Sequence, residues 1–108
     1  MTMVARFFAG VLLANALPHG VSAVQGRPFP TPFASPPGVG LSSPLANAVW
    51  SGLNTAGGTA LLGRSVPGPR ERASVAAGAV AMTVFLAHYF GKNGPAQAPA
   101  GVQTVRAA

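Results

Sequence analysis

The chain has 108 residues with a charged fraction of 7%, far below the roughly 25% of ordinary soluble domains. Its formal net charge of +6 comes from basic residues scattered singly, so the basic patch that nucleic-acid binding requires is missing. The absence of cysteine excludes disulfides and thiolate chemistry, and Glu71, the single acidic residue, excludes paired carboxylates for acid–base catalysis. This composition predicts a membrane protein whose basic residues lie in loops and ends.

The first apolar segment extends from Val4 to Leu17 and is followed by Pro18. It is shorter than the roughly 20 residues needed to cross a bilayer, unless the helix continues past the proline. We therefore predict a first helix over residues 4–24, kinked at Pro18. Asn15 and His19 then lie one turn apart on the same face of this helix.

The same segment also has the pattern of a secretory signal. Arg6 supplies the basic region, "FFAGVLLANAL" the apolar region, and Val21 to Ala23 a small-residue cleavage site. Asn15 interrupts the apolar region, and Pro18 with the following histidine lengthens its polar end. An exported protein that loses residues 1–23 and keeps two membrane helices is the alternative to retention.

Residues 25–43 form a proline-rich connection that interleaves prolines with Phe29, Phe33, Val39 and Leu41. Disordered segments usually combine low hydrophobicity with high charge, which this stretch does not. Prolines reduce the entropy lost on ordering, and the apolar side chains can lie at the membrane interface or over helix ends. We predict an ordered cap, re-entrant or interfacial, in preference to a flexible linker.

Two further helices are predicted, over residues 44–63 and 73–90. The second helix begins with a serine cap followed by proline, and its asparagines and glycine pair are tolerable in a buried helix. The third contains no Asp, Glu, Lys or Arg. Small-residue pairs such as Gly10/Ala14 and Ser74/Gly78 predict closely packed helices. The fold class is therefore an all-α membrane protein with one domain, residues 1–91, and a disordered Ala/Pro/Gly-rich tail, residues 92–108.

With three crossings, polar residues from all three helices lie near the end that carries the proline-rich loop. Buried polar groups in a bilayer need partners, so hydrogen bonding between helices is the first interpretation of these residues. A shallow pocket for a ligand or ion, built from His19, Asn47 and His88, is the second. No catalytic, cofactor or metal site is predicted. The candidate polar cluster comprises Asn15, His19, Asn47, Trp50, Asn54 and His88.

The runs "NALPHGVSAVQGRPFPTPF" and "GLSSPLANAVW" resemble a family of small, uncharacterised bacterial integral membrane proteins. The shared signature is N-x-x-P-H, a glycine turn, T-P-F, and S-P followed by Asn and Trp. Its elements are Asn15, Pro18, His19, Gly26, Thr31, Pro32, Phe33, Ser43, Pro44, Asn47 and Trp50. The resemblance implies that Asn15 to His19 belong to the mature protein, and it brings no biochemical activity. The chain departs from the pattern at Gly20, where an aromatic or aliphatic residue is expected.

These observations predict a small, non-enzymatic structural or accessory protein of the bacterial inner membrane. Its arginines favour a cytoplasmic N-terminus. The expected partners are the lipid bilayer and either further copies of the chain or another membrane protein, and nucleic acid is not among them. The alternative from a different class is an outward-facing protein that binds a small ligand or an ion, or a transporter subunit.

Overall fold

The computed structural model describes residues 2–95, which form three helices and one short two-stranded ladder. Along the chain the elements are α1 (Thr2–Val24), β1 (Phe29–Pro30), β2 (Leu41–Ser42), α2 (Pro44–Leu62) and α3 (Pro69–Asn93). The three predicted helices are confirmed, including the continuation of α1 through Pro18. The antiparallel ladder, which pairs Phe29 with Ser42, was not predicted.

The central helix of the bundle is α1, because α2 and α3 each pack along it but contact each other little. Asn15 bonds Asn54 and His19 bonds Asn47, so α2 is antiparallel to α1. Ser74 near the start of α3 donates to the carbonyl oxygen of Met3, so α3 is parallel to α1. The helices therefore run up, down and up, which places the proline-rich loop at the end opposite the N-terminus. We call that end the capped end and the other the arginine end.

Glycines allow α1 and α3 to approach closely. A Cβ on Gly10 would overlap the carbonyl oxygen of Val75, and one on Gly78 would overlap that of Phe7. On the opposite side of α1, a Cβ on Gly58 of α2 would lie 2.7 Å from the Leu13 side chain. The predicted packing through small residues is thus confirmed between α1 and α3, at Gly10 and Gly78. Between α1 and α2 the close approach is at Gly58, which was not predicted, and the small-residue pairs Ala56/Ala60 and Ala77/Ala81 are exposed.

The start of α3 differs from the prediction. Ser43 caps α2 as expected, accepting from the backbone N–H of Ala46 at 3.1 Å. The third helix, however, begins at Pro69, because the Glu71 carboxylate accepts from the Gly68 backbone N–H at 2.9 Å and stabilises a first turn made of charged residues. It also continues past residue 90 to Asn93. Most of the predicted tail, residues 96–108, lies outside the described residues.

Two of the helices, α1 and α3, are long and apolar enough to span a membrane, whereas α2 is not. Of the three predicted membrane-spanning segments, two are therefore confirmed to have the length and composition that a membrane crossing requires. Signal sequences and the core helices of soluble proteins satisfy the same criteria, but a soluble core helix is mostly buried. In α3 only 6% of the apolar window is buried, so this helix presents its apolar residues outward.

The proline-rich loop is an ordered cap, as predicted. Thr31 is buried and its hydroxyl pairs with that of Ser42 at 2.5 Å, while its carbonyl accepts from the Gly38 N–H at 2.7 Å. The Tyr89 hydroxyl of α3 donates to the Gly38 carbonyl at 2.7 Å. The bond from Tyr89 holds the loop against α3. The bond between Thr31 and Ser42 holds it near the start of α2, because β2 leads directly into that helix.

Candidate functional site

The centre of the capped end is a hydrogen bond between His19 of α1 and Asn47 of α2. His19 Nδ1 lies 2.7 Å from Asn47 Oδ1, and both side chains are buried, with exposed fractions of 3% and 0%. Asn47 Nδ2 donates to the carbonyl oxygens of Phe29, Ser42 and Ser43 at 3.0–3.2 Å. Three acceptors around Nδ2 fix the orientation of the amide, so Oδ1 faces the imidazole and His19 Nδ1 carries the proton.

A second polar contact joins the same two helices one to two turns further from the cap. Asn15 Nδ2 donates to Asn54 Oδ1 at 3.0 Å, and Asn54 Nδ2 donates to the Trp50 carbonyl at 2.9 Å. Between the two asparagine contacts, Ser51 Oγ donates to the Ala16 carbonyl at 2.8 Å. The seam between α1 and α2 is therefore hydrogen-bonded along about two turns.

The contact of Ser51 with α1 lies next to Gly20. A Cβ on Gly20 would lie 2.8 Å from Ser51 Oγ. A larger side chain there would displace the serine hydroxyl from the Ala16 carbonyl. The position at which the chain departs from the expected family pattern is thus one where α2 comes close to α1.

Aromatic rings surround the imidazole of His19. Its ring centroid lies 5.4 Å from that of Phe29, 6.3 Å from Trp50 and 6.5 Å from Phe90, all in edge-to-face geometry. Phe29 of the loop and Phe90 of α3 are themselves 4.6 Å apart. The rings thus join the cap, α1, α2 and α3 around one histidine.

A cavity of about 390 Å³ borders this cluster, between α2 and α3 and beneath the loop. Its wall is mostly apolar and includes His19, Trp50, Met82, Phe85, Tyr89 and Phe90. Among the described residues, no Asp, Glu, Lys or Arg lines it. The volume is within the range of about 300–1,000 Å³ that is usual for small-molecule sites.

The structure brings together five of the six residues predicted for the polar cluster: Asn15, His19, Asn47, Trp50 and Asn54. The sixth, His88, is exposed and makes no hydrogen bond to the described residues. The structure does not bring it to the other five, because the face of α3 that turns toward the cap carries Tyr89 and Phe90 instead. The tyrosine contact could have been anticipated only from the folded position of Gly38.

A second polar group at the arginine end was not predicted. The Arg6 side chain is buried, with an exposed fraction of 2%, and its Nη2 lies 3.3 Å from Ser65 Oγ and 3.9 Å from Glu71 Oε2. The single acidic residue thus serves both the start of α3 and a buried cation of α1. The sequence offers a weak signal for this contact, since an arginine within an apolar helix requires a partner.

Groups of three or more His, Asp or Glu side chains that could hold a metal ion are absent from the described residues. Comparisons of the chain with models of protein families, with curated proteins and with solved structures found no match. The family resemblance of the two sequence runs therefore stays a prediction. What the described residues do offer is a rigid hydrogen-bonded seam beside an uncharged, aromatic-lined cavity.

Proposed function

We propose that the chain is a small integral membrane protein of the bacterial inner membrane that acts as a non-enzymatic structural or accessory component. The observation that supports this proposal is the distribution of polarity. The buried apolar residues are small, apart from Pro30 and Leu41 in the cap, while large apolar side chains face outward on every helix. Soluble domains have the opposite arrangement, whereas membrane bundles pack small and polar residues inward.

The proposal includes a membrane crossing by α2. The asparagines that lower the hydropathy of this helix face α1, with Asn47 and Asn54 both buried. Its outward face carries Leu45, Val49 and Leu53, each more than half exposed. The exposed Thr55 hydroxyl donates to the carbonyl of Ser51 in its own helix, which satisfies it without water. In this arrangement lipid meets an apolar face on α2 as on its neighbours.

The same proposal includes the orientation of the protein in the membrane, which we infer from the distribution of its basic residues. Arg64, Arg70 and Arg72 join Arg6 at the arginine end, whereas Arg27 and Lys92 lie at the capped end. The larger group favours a cytoplasmic arginine end, with the cap outside. The resemblance to bacterial membrane proteins supports the inner membrane as the location.

Cysteine labelling tests the crossing of α2, because the natural sequence has no cysteine. Ser35→Cys in the cap and Val66→Cys between α2 and α3 both place the thiol at exposed positions. With an impermeant maleimide applied to spheroplasts, we expect labelling at position 35 and labelling at 66 only after permeabilisation. Labelling of both from the same side would show that α2 does not cross, and the reverse pattern would invert the orientation.

A further inference from the structure

The cavity at the capped end is lined by His19 and Trp50, each of which has a ring nitrogen without a hydrogen-bond partner among the described residues, and by Asn15, whose Oδ1 is also unpaired there. Thr31 and Tyr89 also line it, but their hydroxyls are bonded to Ser42 and to the Gly38 carbonyl. Trp50 Nε1 is buried and has no hydrogen-bond partner among the described residues. His19 Nε2 also has no hydrogen-bond partner among the described residues. Unlike Trp50 Nε1, it is not completely covered by protein atoms.

These two ring nitrogens have complementary hydrogen-bonding capacities. The proton on His19 Nδ1 is directed to Asn47 Oδ1, so in the neutral imidazole Nε2 is an acceptor. The indole nitrogen of Trp50 can only donate. The two rings lie in edge-to-face contact with centroids 6.3 Å apart, and both residues line the cavity, while Trp50 Nε1 itself is covered by protein atoms.

We propose that this cavity binds an uncharged amphiphile that carries a hydroxyl group. The hydroxyl donates its proton to His19 Nε2. It accepts from Trp50 Nε1 once the indole has turned to uncover this nitrogen, which pairs a donor that is otherwise buried alone. The apolar body lies against Met82 and Phe85 of α3. An anionic or cationic head group is disfavoured, since no charged side chain of the described residues lines the site.

The position of the cavity suits a ligand that arrives from the bilayer. It lies between α2 and α3, which contact each other little, so the gap between them faces outward. Phe85 borders the cavity and is also more than half exposed, which makes the outer surface continuous with the inner wall. This inference goes beyond the structural role proposed above and does not depend on whether α2 crosses the membrane.

Trp50 is the only tryptophan of the chain, so its fluorescence reports on the site directly. The probe is 4-bromophenol, whose bromine quenches indole emission at contact distance, and the matched control is 4-bromoanisole, which lacks the donor proton. Both are titrated into the full chain in detergent, with concentrations expressed as mole fraction in the micelle. We expect saturable quenching by the phenol with a Kd about three- to tenfold lower than that of the anisole, the effect of one hydrogen bond.

Three variants localise the effect. His19→Asn keeps a donor toward Asn47 but removes Nε2, and it should abolish the preference for the phenol. Met82→Phe narrows the cavity and should weaken binding of both probes. Val80→Phe, on the outward face of the same helix, is the control and should change neither. Met82→Phe leaves the polar network untouched, so the test remains decisive if His19→Asn fails to fold.

Several results would overturn the proposal. Quenching that rises without saturation would indicate simple partition into the micelle. Saturable binding without preference for the phenol would refute recognition of a hydroxyl group. Equal effects of Met82→Phe and Val80→Phe would place the probe elsewhere on the protein.

Discussion

The Asn47 side chain connects three parts of the protein through one amide. Its oxygen faces His19 of α1, and its nitrogen donates to carbonyls of Phe29 in the loop and of Ser42 and Ser43 before α2. A single hydrogen bond to His19 would be enough to join the two helices. Because Asn47 also holds the two ends of the cap, it couples loop structure to helix packing.

We expect Asn47→Leu to destabilise the protein more than any other single change in the polar cluster. It leaves the His19 Nδ1–H without its partner and removes a bond from the carbonyls of Phe29, Ser42 and Ser43, and an unsatisfied buried group costs about 1–3 kcal/mol. In the cycle formed by His19→Leu, Asn47→Leu and the double variant, we expect a coupling free energy of about 0.5–2 kcal/mol, as for polar contacts between membrane helices. Equilibrium unfolding in mixed micelles with increasing SDS measures these differences.

The control for this cycle is Thr55→Val. The Thr55 hydroxyl is exposed and bonds only to its own helix, so its loss should leave the unfolding midpoint almost unchanged. Additive, near-zero effects of the His19 and Asn47 substitutions would contradict a structural role for their contact. Such a result would favour a water-filled site at the capped end.

At the scale of elements, the two interfaces of α1 differ in chemistry. The seam with α2 is a series of side-chain hydrogen bonds, from Asn47 to Asn54. The interface with α3 depends on close backbone approach at Gly10 and Gly78. Polar side chains thus specify how α1 and α2 are aligned, and glycines, which have no side chain, specify how α1 and α3 are aligned.

Gly78→Ala should therefore disrupt the interface between α1 and α3. The added methyl group would overlap the Phe7 carbonyl, which is backbone and cannot turn away, so the helices must separate at a cost of about 1–3 kcal/mol or more. Gly91→Ala in the same helix is the matched control, because nothing lies within 4 Å of its Cβ position. There the substitution should stabilise the helix by up to about 1 kcal/mol. Equal losses of stability in the two variants would contradict glycine-mediated packing.

The elements that could be predicted from the sequence are those set by local rules. The number and order of the helices could be predicted from the apolar segments, from the cap at Ser43 and from the proline-rich connection between the first two helices. The start of α3 at Pro69 was missed because the prediction sought an uncharged segment, while the helix uses Glu71 to bond the Gly68 N–H. In the site, the asparagines and His19 could be expected to meet because they lie at comparable depths on neighbouring helices. His88 lies at the same depth but on the outward face of α3. The depth of a residue does not determine how its helix is rotated about its axis.

At the scale of the whole molecule, α1 is the element on which the tertiary structure depends. It contributes the buried Arg6 and His19, and it separates α2 from α3 along the bundle. If residues 1–23 were removed, Asn47 would lose its contact with His19, Asn54 would lose its contact with Asn15, and α3 would lose the helix against which it packs. A mature protein without this segment would therefore not have the fold described here.

We accordingly predict that the N-terminal segment stays attached in the membrane. The intact mass of the protein purified from membranes should include residues 1–23. Ala23→Leu, which removes the small residue that signal cleavage requires, supplies an uncleaved reference and should differ from the wild type only by the mass of the substitution. A mature chain beginning at Val24 in the wild type, but not in the variant, would show that the segment is a signal.

The central position of the first helix has a consequence for the timing of assembly. During synthesis Asn15 and His19 are made before their partners exist, and α2 is the next helix to be made. The hairpin of α1 and α2 can close all of the hydrogen bonds between these two helices while α3 is still on the ribosome. Met82, Phe85 and Tyr89 arrive only with that last helix. The cavity is therefore the final part of the described structure to form, and a chain stalled after the hairpin would hold its polar network but have no site.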